Sequence, residues 1–362
     1  MRSRCVDELL GCLRRLKSKE LAFRVVVMPD FFIDRLASYV GDVAKFSKAV
    51  VEVAGRKGGA IHEVRQTELR GGNAANTAAA LAALGVKVYP LISTSPLGQH
   101  LLKFYLEPFD VDLSHVKTSG KESLTIAVEL LYEGERVNIM MGDLGSLPNF
   151  GSKDLSEGDF KLLQTTDYVC VFNWASTKRW GTELAASVFR FVKDKGKGKT
   201  YYDTGDPTPN LKETPKLVNN VLLSGIVDVF SVNENEAFLY ASQLNPEVKN
   251  LKKKMEHQDL AKECARTLAK HFSARIDLHT TTFAGSFTSD KEVKVPAFRV
   301  SVLRSTGAGD AWNAGNILGD ALRLPDACRL TLANAVAAYY ISSPSAEHPT
   351  LSKLVKFCST KQ

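Results

Sequence analysis

Short apolar runs alternate with helical patterns along most of the chain. Residues 168–173, 199–203 and 227–232 are rich in β-branched and aromatic side chains, which is typical of buried strands. Residues 183–193 instead repeat apolar side chains at helical spacing. A chain that alternates strands with helices crosses back over its sheet between strands, which makes neighbouring strands parallel. The pattern therefore predicts an α/β fold with a mainly parallel sheet covered by helices on both faces.

Two regions differ from this alternation. Residues 124–132 and 136–141 are strand patterns joined by the turn EGE at residues 133–135, which predicts a β-hairpin. Residues 40–69 lack strong helical periodicity. No internal repeat or low-complexity linker divides the chain, so a second structural unit is expected to be an insertion in the first.

The first 22 residues carry leucines at helical spacing among basic side chains. The leucines are Leu9, Leu10, Leu13 and Leu16, and the basic residues are Arg2, Arg4, Arg14, Arg15, Lys17 and Lys19. A signal peptide would need a continuous apolar stretch, and Asp7, Glu8 and Glu20 argue against a transit peptide. Residues 1–22 are therefore expected to form a basic amphipathic helix that docks on the main domain.

The composition is that of a globular protein with a full core, with 44% hydrophobic and 24% charged residues in a chain of 362. No apolar run approaches the ~20 residues needed to cross a membrane, and the six cysteines are scattered, so a cytoplasmic location with reduced thiols is expected. The net charge of +7 is dispersed and not interleaved with aromatic residues. This argues against nucleic-acid binding and favours attraction of anionic small molecules.

The most informative segment is STGAGDAW at residues 305–312, a turn of small residues that leads into a helix. Gly307 and Gly309 permit unusual backbone conformations, so that the three N–H groups of residues 308–310 can point into one concavity at the helix N-terminus. Such a concavity stabilises a phosphate, and Asp310 at its edge is placed to accept a proton from an attacking hydroxyl. The structural alternative is a glycine-rich cap with an acid on the helix dipole.

A second small-residue segment is RGGNAANTAAALAALG at residues 70–85, a glycine pair that leads into an alanine-rich helix. Asn73 and Asn76 share the first helical turn, where their amides can bond sugar hydroxyls. Gly71 and Gly72 let a ligand approach the backbone. Taken alone, the segment is also compatible with an ordinary cap on a buried helix.

Together, in this order, the two segments resemble the motifs of the ribokinase family, the PfkB-type carbohydrate kinases. Further matches are Asp34 after the first apolar strand, Asn233 and Glu236 in an Asn-x-x-Glu motif, and Asn334 in an alanine-rich segment near the C-terminus. The resemblance implies that Asp34 contacts the acceptor, and that the other three residues belong to the nucleotide site.

The resemblance covers residues 23–357 and leaves residues 358–362 as a tail. It implies a ribokinase-like three-layer α/β/α sandwich with a small antiparallel β lid over the sugar site. The lid would come from insertions around residues 37–69 and 120–142, and lids of this family often pair between two subunits. A homodimer through the lid is therefore expected.

Residues at strand ends give the same site independently, because ligands of open α/β sheets bind beyond the carboxyl ends of the strands. Asp34, Asn173 and Asp203 follow or end predicted strands, and Asn233 and Glu236 follow another. Carboxylates and amides suit a ligand with many hydroxyls. Each residue alone is also a good helix cap. The combination with the glycine segments favours Asp34 and Asn173 as acceptor contacts.

Two positions in the second half of the chain depart from the family pattern. The segment TTTFAG at residues 280–285 resembles the nucleotide-binding turn Thr-x-Gly-x-x-Gly, with Thr280 and Gly285 in place but Thr282 instead of the first glycine. A β-branched residue disfavours positive φ, so a different loop path around the base and ribose is expected. Arg304 replaces an aspartate that the family associates with a monovalent cation. A fixed positive charge there makes potassium activation unexpected.

The sequence therefore predicts in-line transfer of a phosphoryl group from ATP to a hydroxyl of a sugar, sugar phosphate or polyol. Asp310 would be the general base, and Gly307, Ala308 and Gly309 would form the anion hole. Mg²⁺ would bridge the phosphates, with Glu236 acting through water.

Two alternatives remain at this stage. A nucleoside kinase of the same fold would need an aromatic stacking partner near the sugar, and Phe31, Phe32 and Trp174 are candidates. The second alternative is a non-catalytic sugar- or nucleotide-binding regulatory protein that keeps the fold. The intact Asp310 segment argues against it.

Overall fold

A computed structural model describes residues 2–16, 21 and 23–360. In this part of the chain, twelve strands form two sheets. The strands are β1 (Arg24–Met28), β2 (Phe32–Asp42), β3 (Arg65–Gly71), β4 (Lys87–Pro90), β5 (Ser123–Tyr132), β6 (Glu135–Asp143), β7 (Tyr168–Phe172), β8 (Lys199–Asp203), β9 (Val229–Val232), β10 (Arg275–His279), β11 (Phe283–Phe287) and β12 (Glu292–Pro296).

Helices connect most of these strands. The α-helices of the described residues are α1 (Arg2–Leu16), α2 (Val43–Gly55), α3 (Asn73–Ala83), α4 (Pro96–Leu106), α5 (Glu157–Thr165), α6 (Gly181–Lys195), α7 (Thr214–Leu217), α8 (Glu234–Leu244), α9 (Val248–Leu251), α10 (His257–His271), α11 (Ala308–Ala321), α12 (Asp326–Ser342) and α13 (Leu351–Thr360). None of these helices is long and apolar enough to cross a membrane.

The larger sheet has eight strands in the order β12-β11-β10-β9-β8-β7-β1-β4. The strands from β10 to β4 are parallel, and β11 and β12 add an antiparallel edge. Both faces are covered, as β1 shows: Val25 and Val27 are buried in one apolar core, and Val26 and Met28 in the other. Helices α5, α6, α8 and α10 line one core and α1, α3, α4, α11, α12 and α13 the other. The predicted three-layer α/β/α sandwich is confirmed.

The smaller sheet, which we call the lid, has four strands in the order β3-β2-β5-β6. The predicted hairpin is present, since β5 and β6 pair in antiparallel fashion across a turn in which Gly134 has a φ of 84°. The lid is not wholly antiparallel, however, because β2 runs parallel to β5. Its strands cover residues 32–71 and 123–143, so the first pair extends past the insertion expected around residues 37–69 and the second pair lies close to the one expected around residues 120–142.

Helix α2 lies inside the first lid insertion, where no helical pattern was recognised. None of its residues is buried. The helix therefore has no buried apolar face, and such a face is what produces the helical repeat of apolar residues in a sequence. The local signal was Asp42, whose side chain caps the helix by accepting a hydrogen bond from the N–H of Lys45 at 2.7 Å.

Both ends of the described chain pack on the domain. Helix α1 contacts α12 and α13, and Leu9 and Leu13 are fully buried in the shared core. At the other end, α13 continues to Thr360, so the expected tail from residue 358 begins inside a helix. The reason is that Leu354 and Cys358 lie one turn apart and are both buried. Residues 1, 17–20 and 22 of the expected extension, and residues 361–362 of the tail, lie outside the described residues.

Candidate active site

Polar side chains gather where the parallel strands of the larger sheet end. Asp30 follows β1, Asn173 follows β7, Asp203 ends β8, Asn233 follows β9 and His279 ends β10. Because these strands are parallel neighbours, their carboxyl ends lie along one edge of the sheet. The first turns of α3 and α11 reach the same edge and are hydrogen-bonded to each other. Both small-residue segments thus meet at the strand ends.

Asp30 ties the end of β1 to the start of α3. Its carboxylate accepts hydrogen bonds from the N–H groups of Asn73 and Ala74, both at 2.9 Å, and from the amide of Asn173 at 2.8 Å. The N-cap residue of α3 is Gly72, whose φ is 90°. A Cβ there would lie 2.9 Å from neighbouring backbone. The Asp30 carboxylate therefore supplies the cap that a glycine cannot, and it fixes Asn73 in place.

Asp310 is buried in the first turn of α11 and accepts two amide donors from α3. Nδ2 of Asn73 donates to Oδ1 at 2.9 Å, and Nδ2 of Asn76 donates to Oδ2 at 3.0 Å. Burial raises the pKa of Asp310 to about 8; the Asn76 amide opposes the rise, and the charges of Asp203 and Asp30 add to it. A carboxyl with this pKa is well matched to accepting a proton near neutral pH.

The N-terminus of α11 begins at Gly307, whose φ of 81° lies in the left-handed region. A Cβ at this residue would lie 2.7 Å from the hydroxyl of Tyr340. The N–H of Ala308 is not open to a ligand as expected, because it closes the preceding turn at 3.2 Å. The N–H groups of Gly309 and Asp310 have no acceptor within the described chain. Two N–H groups, instead of the expected three, are therefore open at this helix end.

Asp34 lies on β2 beside Gly71 of β3. A Cβ on Gly71 would come within 2.1 Å of Oδ2 of Asp34, so only glycine lets the carboxylate lie against this strand. Burial raises the pKa of Asp34 to about 6, a hydrogen bond with Thr125 opposes the rise, and the charge of Asp30 adds to it. These contacts gather the residues expected at the acceptor around Asp30 and Asp310, namely Asp34, Gly71, Gly72, Asn73, Asn76 and Asn173.

A second acidic group lies at the ends of β8 and β9. Glu236 is buried, and its carboxylate accepts hydrogen bonds from the backbone N–H of Asn233 at 2.9 Å and from its side chain at 2.7 Å. Burial raises the pKa of Glu236 well above its usual range, and the charges of Asp203 and Asp206 raise it further. Among the described residues no set of three or more side chains is placed to ligate a metal ion directly.

The expected nucleotide turn is shorter than its sequence pattern. Oγ1 of Thr280 accepts hydrogen bonds from the N–H groups of Thr282 at 3.2 Å and Phe283 at 2.9 Å. No residue from 280 to 285, all of which are described, has a positive φ, in line with Thr282 in the place of glycine. Gly285 lies outside the turn, within β11, where it pairs with Leu278 of β10.

Asn334 is buried on α12 with both ends of its amide engaged. Its Oδ1 accepts the indole N–H of Trp312 at 2.9 Å, and its Nδ2 donates to the carbonyl of Pro296 at 3.1 Å. The structure therefore shows Asn334 joining α11, α12 and β12 behind the turn at residues 280–282.

Most of the chain also matches a family model by sequence. The model, described as pfkB family carbohydrate kinase, matches residues 40–353. The chain belongs to the pfkB family. No match was found among curated protein sequences.

Solved structures share the fold at low sequence identity. Ribokinase from Arabidopsis thaliana, solved with ribose and ATP, is 15% identical with a TM-score of 0.67 and covers 93% of this chain and 99% of its own. Adenosine kinase from Sinorhizobium meliloti is 17% identical with a TM-score of 0.68, covering 94% and 100%. A probable sugar kinase from Rhizobium etli is 17% identical with a TM-score of 0.70, covering 93% and 98%. The fold is therefore shared with solved proteins described as sugar kinases and with one described as an adenosine kinase.

The three aromatic candidates for stacking are not equivalent. Trp174 is 1% exposed, and its indole N–H donates to Thr182 at 3.0 Å, so it belongs to the core and cannot stack on a base. Phe31 is equally buried. Phe32 is also buried, at 8% exposed, but it begins β2 and pairs with Gly71, which puts it beside the residues expected at the acceptor.

Sequence reasoning missed several residues of this pfkB-type site. Nδ2 of Asn313 donates to Asp203 at 2.7 Å, and His279 packs with its ring 5.0 Å from that of Trp312. Spacing could have found Asn313, because it lies one turn after Asp310 on the same helix. The strand-end rule could have found His279. Arg70 was recognised only as the start of its segment, although its side chain reaches Asn76 at 3.2 Å.

Proposed function

We propose that this pfkB-family protein transfers a phosphoryl group from ATP to a hydroxyl of a sugar, sugar phosphate or polyol. The observation that carries the proposal is the buried Asp310 carboxylate, which Asn73 and Asn76 hold at the N-terminus of α11. Its two oxygens keep further lone pairs, so an acceptor hydroxyl can donate to the same carboxylate. The open N–H groups of Gly309 and of Asp310 itself lie at the same helix end and suit the transferred phosphoryl group.

The reaction would proceed in line. The acceptor hydroxyl gives its proton to Asp310 as its oxygen bonds to the γ-phosphorus, and the bond from that phosphorus to the β-phosphate oxygen breaks to release ADP. Asp34 and Asn173 would orient the remaining hydroxyls. Charge developing on the phosphoryl oxygens is stabilised by the α11 N–H groups, which are fixed before the reaction begins.

Mg²⁺ fits the acidic group at the ends of β8 and β9. Glu236 and Asn233 would hold the ion through water, and their own hydrogen bonds at 2.7 and 2.9 Å fix the carboxylate for that purpose. When bound, the ion neutralises phosphate charge. It would also relieve the repulsion among Asp203, Asp206 and Glu236.

A nucleoside is the second candidate acceptor, favoured by Phe32 at the start of β2 beside Gly71. A panel of sugars, sugar phosphates, polyols and nucleosides, coupled to ADP release, separates the two. We expect the largest acceptor-dependent rate with a carbohydrate. A rate confined to nucleosides would replace the carbohydrate assignment, and ATP turnover that no acceptor stimulates would contradict both.

The guanidinium of Arg304 binds two backbone carbonyls near the proposed anion site. It donates to the carbonyl of Ser343 and, at 3.1 Å, to that of Pro344, and it lies 5.9 Å from the ring centroid of Tyr340. We propose that this permanent charge replaces a bound monovalent cation. Activity should then be equal in sodium, potassium and tetramethylammonium salts at matched ionic strength.

The variant Arg304→Asp extends this test. It should lower activity because the carbonyls of Ser343 and Pro344 lose their positive partner, and added potassium should restore part of it. Strong potassium activation of the unaltered protein would contradict the proposal. So would a variant Arg304→Asp with normal activity in tetramethylammonium.

The lid presents apolar side chains that a second copy of the chain would cover. Ile126 and Met141 pair across the hairpin on one face of the lid and are 43% and 54% exposed. We propose a homodimer through the lid. Light scattering at micromolar concentration should give twice the monomer mass, and Met141→Glu should shift it toward the monomer. A strict monomer for the unaltered chain would exclude this interface.

A further inference from the structure

Arg70 is the penultimate residue of β3, and its side chain crosses from the lid to the main domain. It pairs in register with Ile33, the residue before Asp34, and so leaves β3 on the face opposite Asp34. Its Nε donates to Oδ1 of Asn76 at 3.2 Å. One of its terminal nitrogens lies 3.1 Å from Nε2 of His348. The guanidinium thus connects the first turn of α3 to the C-terminal segment.

The contact with Asn76 decides which way that amide faces. An amide presents a carbonyl oxygen at one end and an NH₂ group at the other. Because Arg70 can only donate, the oxygen must point at Arg70 and the NH₂ group at Asp310, to which it donates at 3.0 Å. The reversed amide would set a donor against Arg70 and an acceptor against the Asp310 carboxylate, and both contacts would be lost.

His348 holds Arg70 from the other side. It is 8% exposed and stacks on Tyr340, with ring centroids 4.5 Å apart and planes at 13°. Burial lowers the pKa of His348 well below its usual range, and the nearby charge of Arg70 lowers it further. The neutral ring can therefore accept at Nε2, as the cation requires. Arg70 is thus fixed at both ends, by groups that accept and carry no negative charge.

We propose that Arg70 is a positioning residue for phosphoryl transfer: by holding the Asn76 amide in one orientation, it aims the Asp310 carboxylate at the acceptor hydroxyl. The proposal rests on the proposed function of Asp310 as the base. Because Arg70 lies on a lid strand, Asp310 would be correctly aligned only when the lid is in place.

The low-pH limb of the activity–pH profile depends on the ionisation of Asp310 and therefore tests this positioning. The charged and titratable groups that face Asp310 are Asp30 and Asp203 at the strand ends, Arg70 from the lid and Tyr340 from α12. The two aspartates disfavour the ionised base, whereas Arg70 and the Asn76 amide favour it. Removing Arg70 should therefore move the limb to higher pH.

The experiment compares Arg70→Gln and Arg70→Lys with the unaltered enzyme. Arg70→Gln should lower kcat on the order of 10- to 100-fold, the scale of a displacement of about 1 Å, with little change in KM for ATP. Arg70→Lys keeps the positive charge but not the planar guanidinium with its fixed donors, and kcat should fall less than in Arg70→Gln. The variant Arg70→Gln combined with Asn76→Ala should be no worse than Asn76→Ala alone, because both act on one contact. Additive losses would overturn the proposal.

A measurement without turnover separates this proposal from the proposed function. The ¹³C carboxyl resonance of Asp310, assigned by its absence in Asp310→Asn, should titrate at higher pH in Arg70→Gln than in the unaltered protein. The matched control is Arg266→Gln, a half-exposed arginine on α10 that pairs with Glu263 and Glu292. The role of Arg70 would be overturned if Arg70→Gln showed the same Asp310 titration and the same kcat as Arg266→Gln. If no acceptor is phosphorylated, the proposed function fails, and the titration still decides the positioning.

Discussion

Replacing Asp310 with asparagine is expected to lower kcat by at least ~10²-fold and to leave ATP affinity nearly unchanged, because the amide cannot accept the proton of the acceptor hydroxyl. The substitution keeps the shape of the side chain, but a carboxamide has one oxygen, so only one of the Asn73 and Asn76 amides keeps its hydrogen bond. Turnover from the coupled ADP assay and ATP binding by calorimetry give the two quantities. Asp290→Asn, at an exposed aspartate, is the control.

The same carboxyl makes the reaction depend on pH with a defined sign. Asp310 accepts a proton only when it is ionised, and its pKa in the free protein is about 8. Since kcat/KM reports the free enzyme, it should rise with pH below about 8 and level off above it. A near-normal turnover of Asp310→Asn would remove Asp310 from the role of base. A profile that falls as pH rises from 6 to 8 would do the same.

The second large effect is expected from Gly307→Ala, at the start of α11. The φ of 81° costs an alanine on the order of 1–2 kcal/mol, and its Cβ would lie 2.7 Å from the Tyr340 hydroxyl. The backbone must shift to relieve both, and the open N–H groups of Gly309 and Asp310 shift with it. Loss of one such donor typically costs 10²- to 10³-fold in kcat, so a loss of about 10²-fold is expected in the same coupled assay.

Two further variants isolate the cause. Gly307→Ala combined with Tyr340→Phe removes the contact with the hydroxyl and should recover part of the activity. Gly225→Ala is the matched control, because Gly225 has a φ of 76° in the turn before β9, at the amino end of that strand, and the nearest atom to an added Cβ would be 3.7 Å away. It should lose stability by a similar amount and keep kcat. If Gly225→Ala loses as much activity as Gly307→Ala, the effect is one of folding and not of the anion site.

The sequence predicted those parts of the fold and site that local patterns encode. The strand at residues 168–172 and the helix at residues 181–195 follow from apolar periodicity. The glycine segments could be predicted because glycine adopts backbone conformations that other residues rarely adopt. Helix α2 escaped because none of its residues is buried. Its apolar side chains do not pack on a core, and a buried face is what a helical repeat of apolar residues in a sequence normally reflects.

Contacts between distant segments could not be predicted in this way. Asp30 caps α3 from 43 residues away, and Asp310 accepts from Asn73 across 237 residues. No local pattern encodes such a pair, which exists only once the strand ends are brought together. The same holds for the N–H of Ala308, whose use in closing a turn depends on the path of the preceding residues. Arg70 looked like one more charged residue beside a glycine pair.

The lid strands carry parts of the site themselves, and this has a consequence for the order of events. Asp34 lies on β2 and Arg70 on β3; residues 29–31 join β2 to β1 of the main sheet, and residue 72 joins β3 to α3. A lid that swings outward therefore takes acceptor contacts with it and disassembles the site. Water entering an open lid would meet a base that is no longer aligned. We expect the acceptor to bind before productive ATP, and wasteful ATP hydrolysis to stay slow until it does.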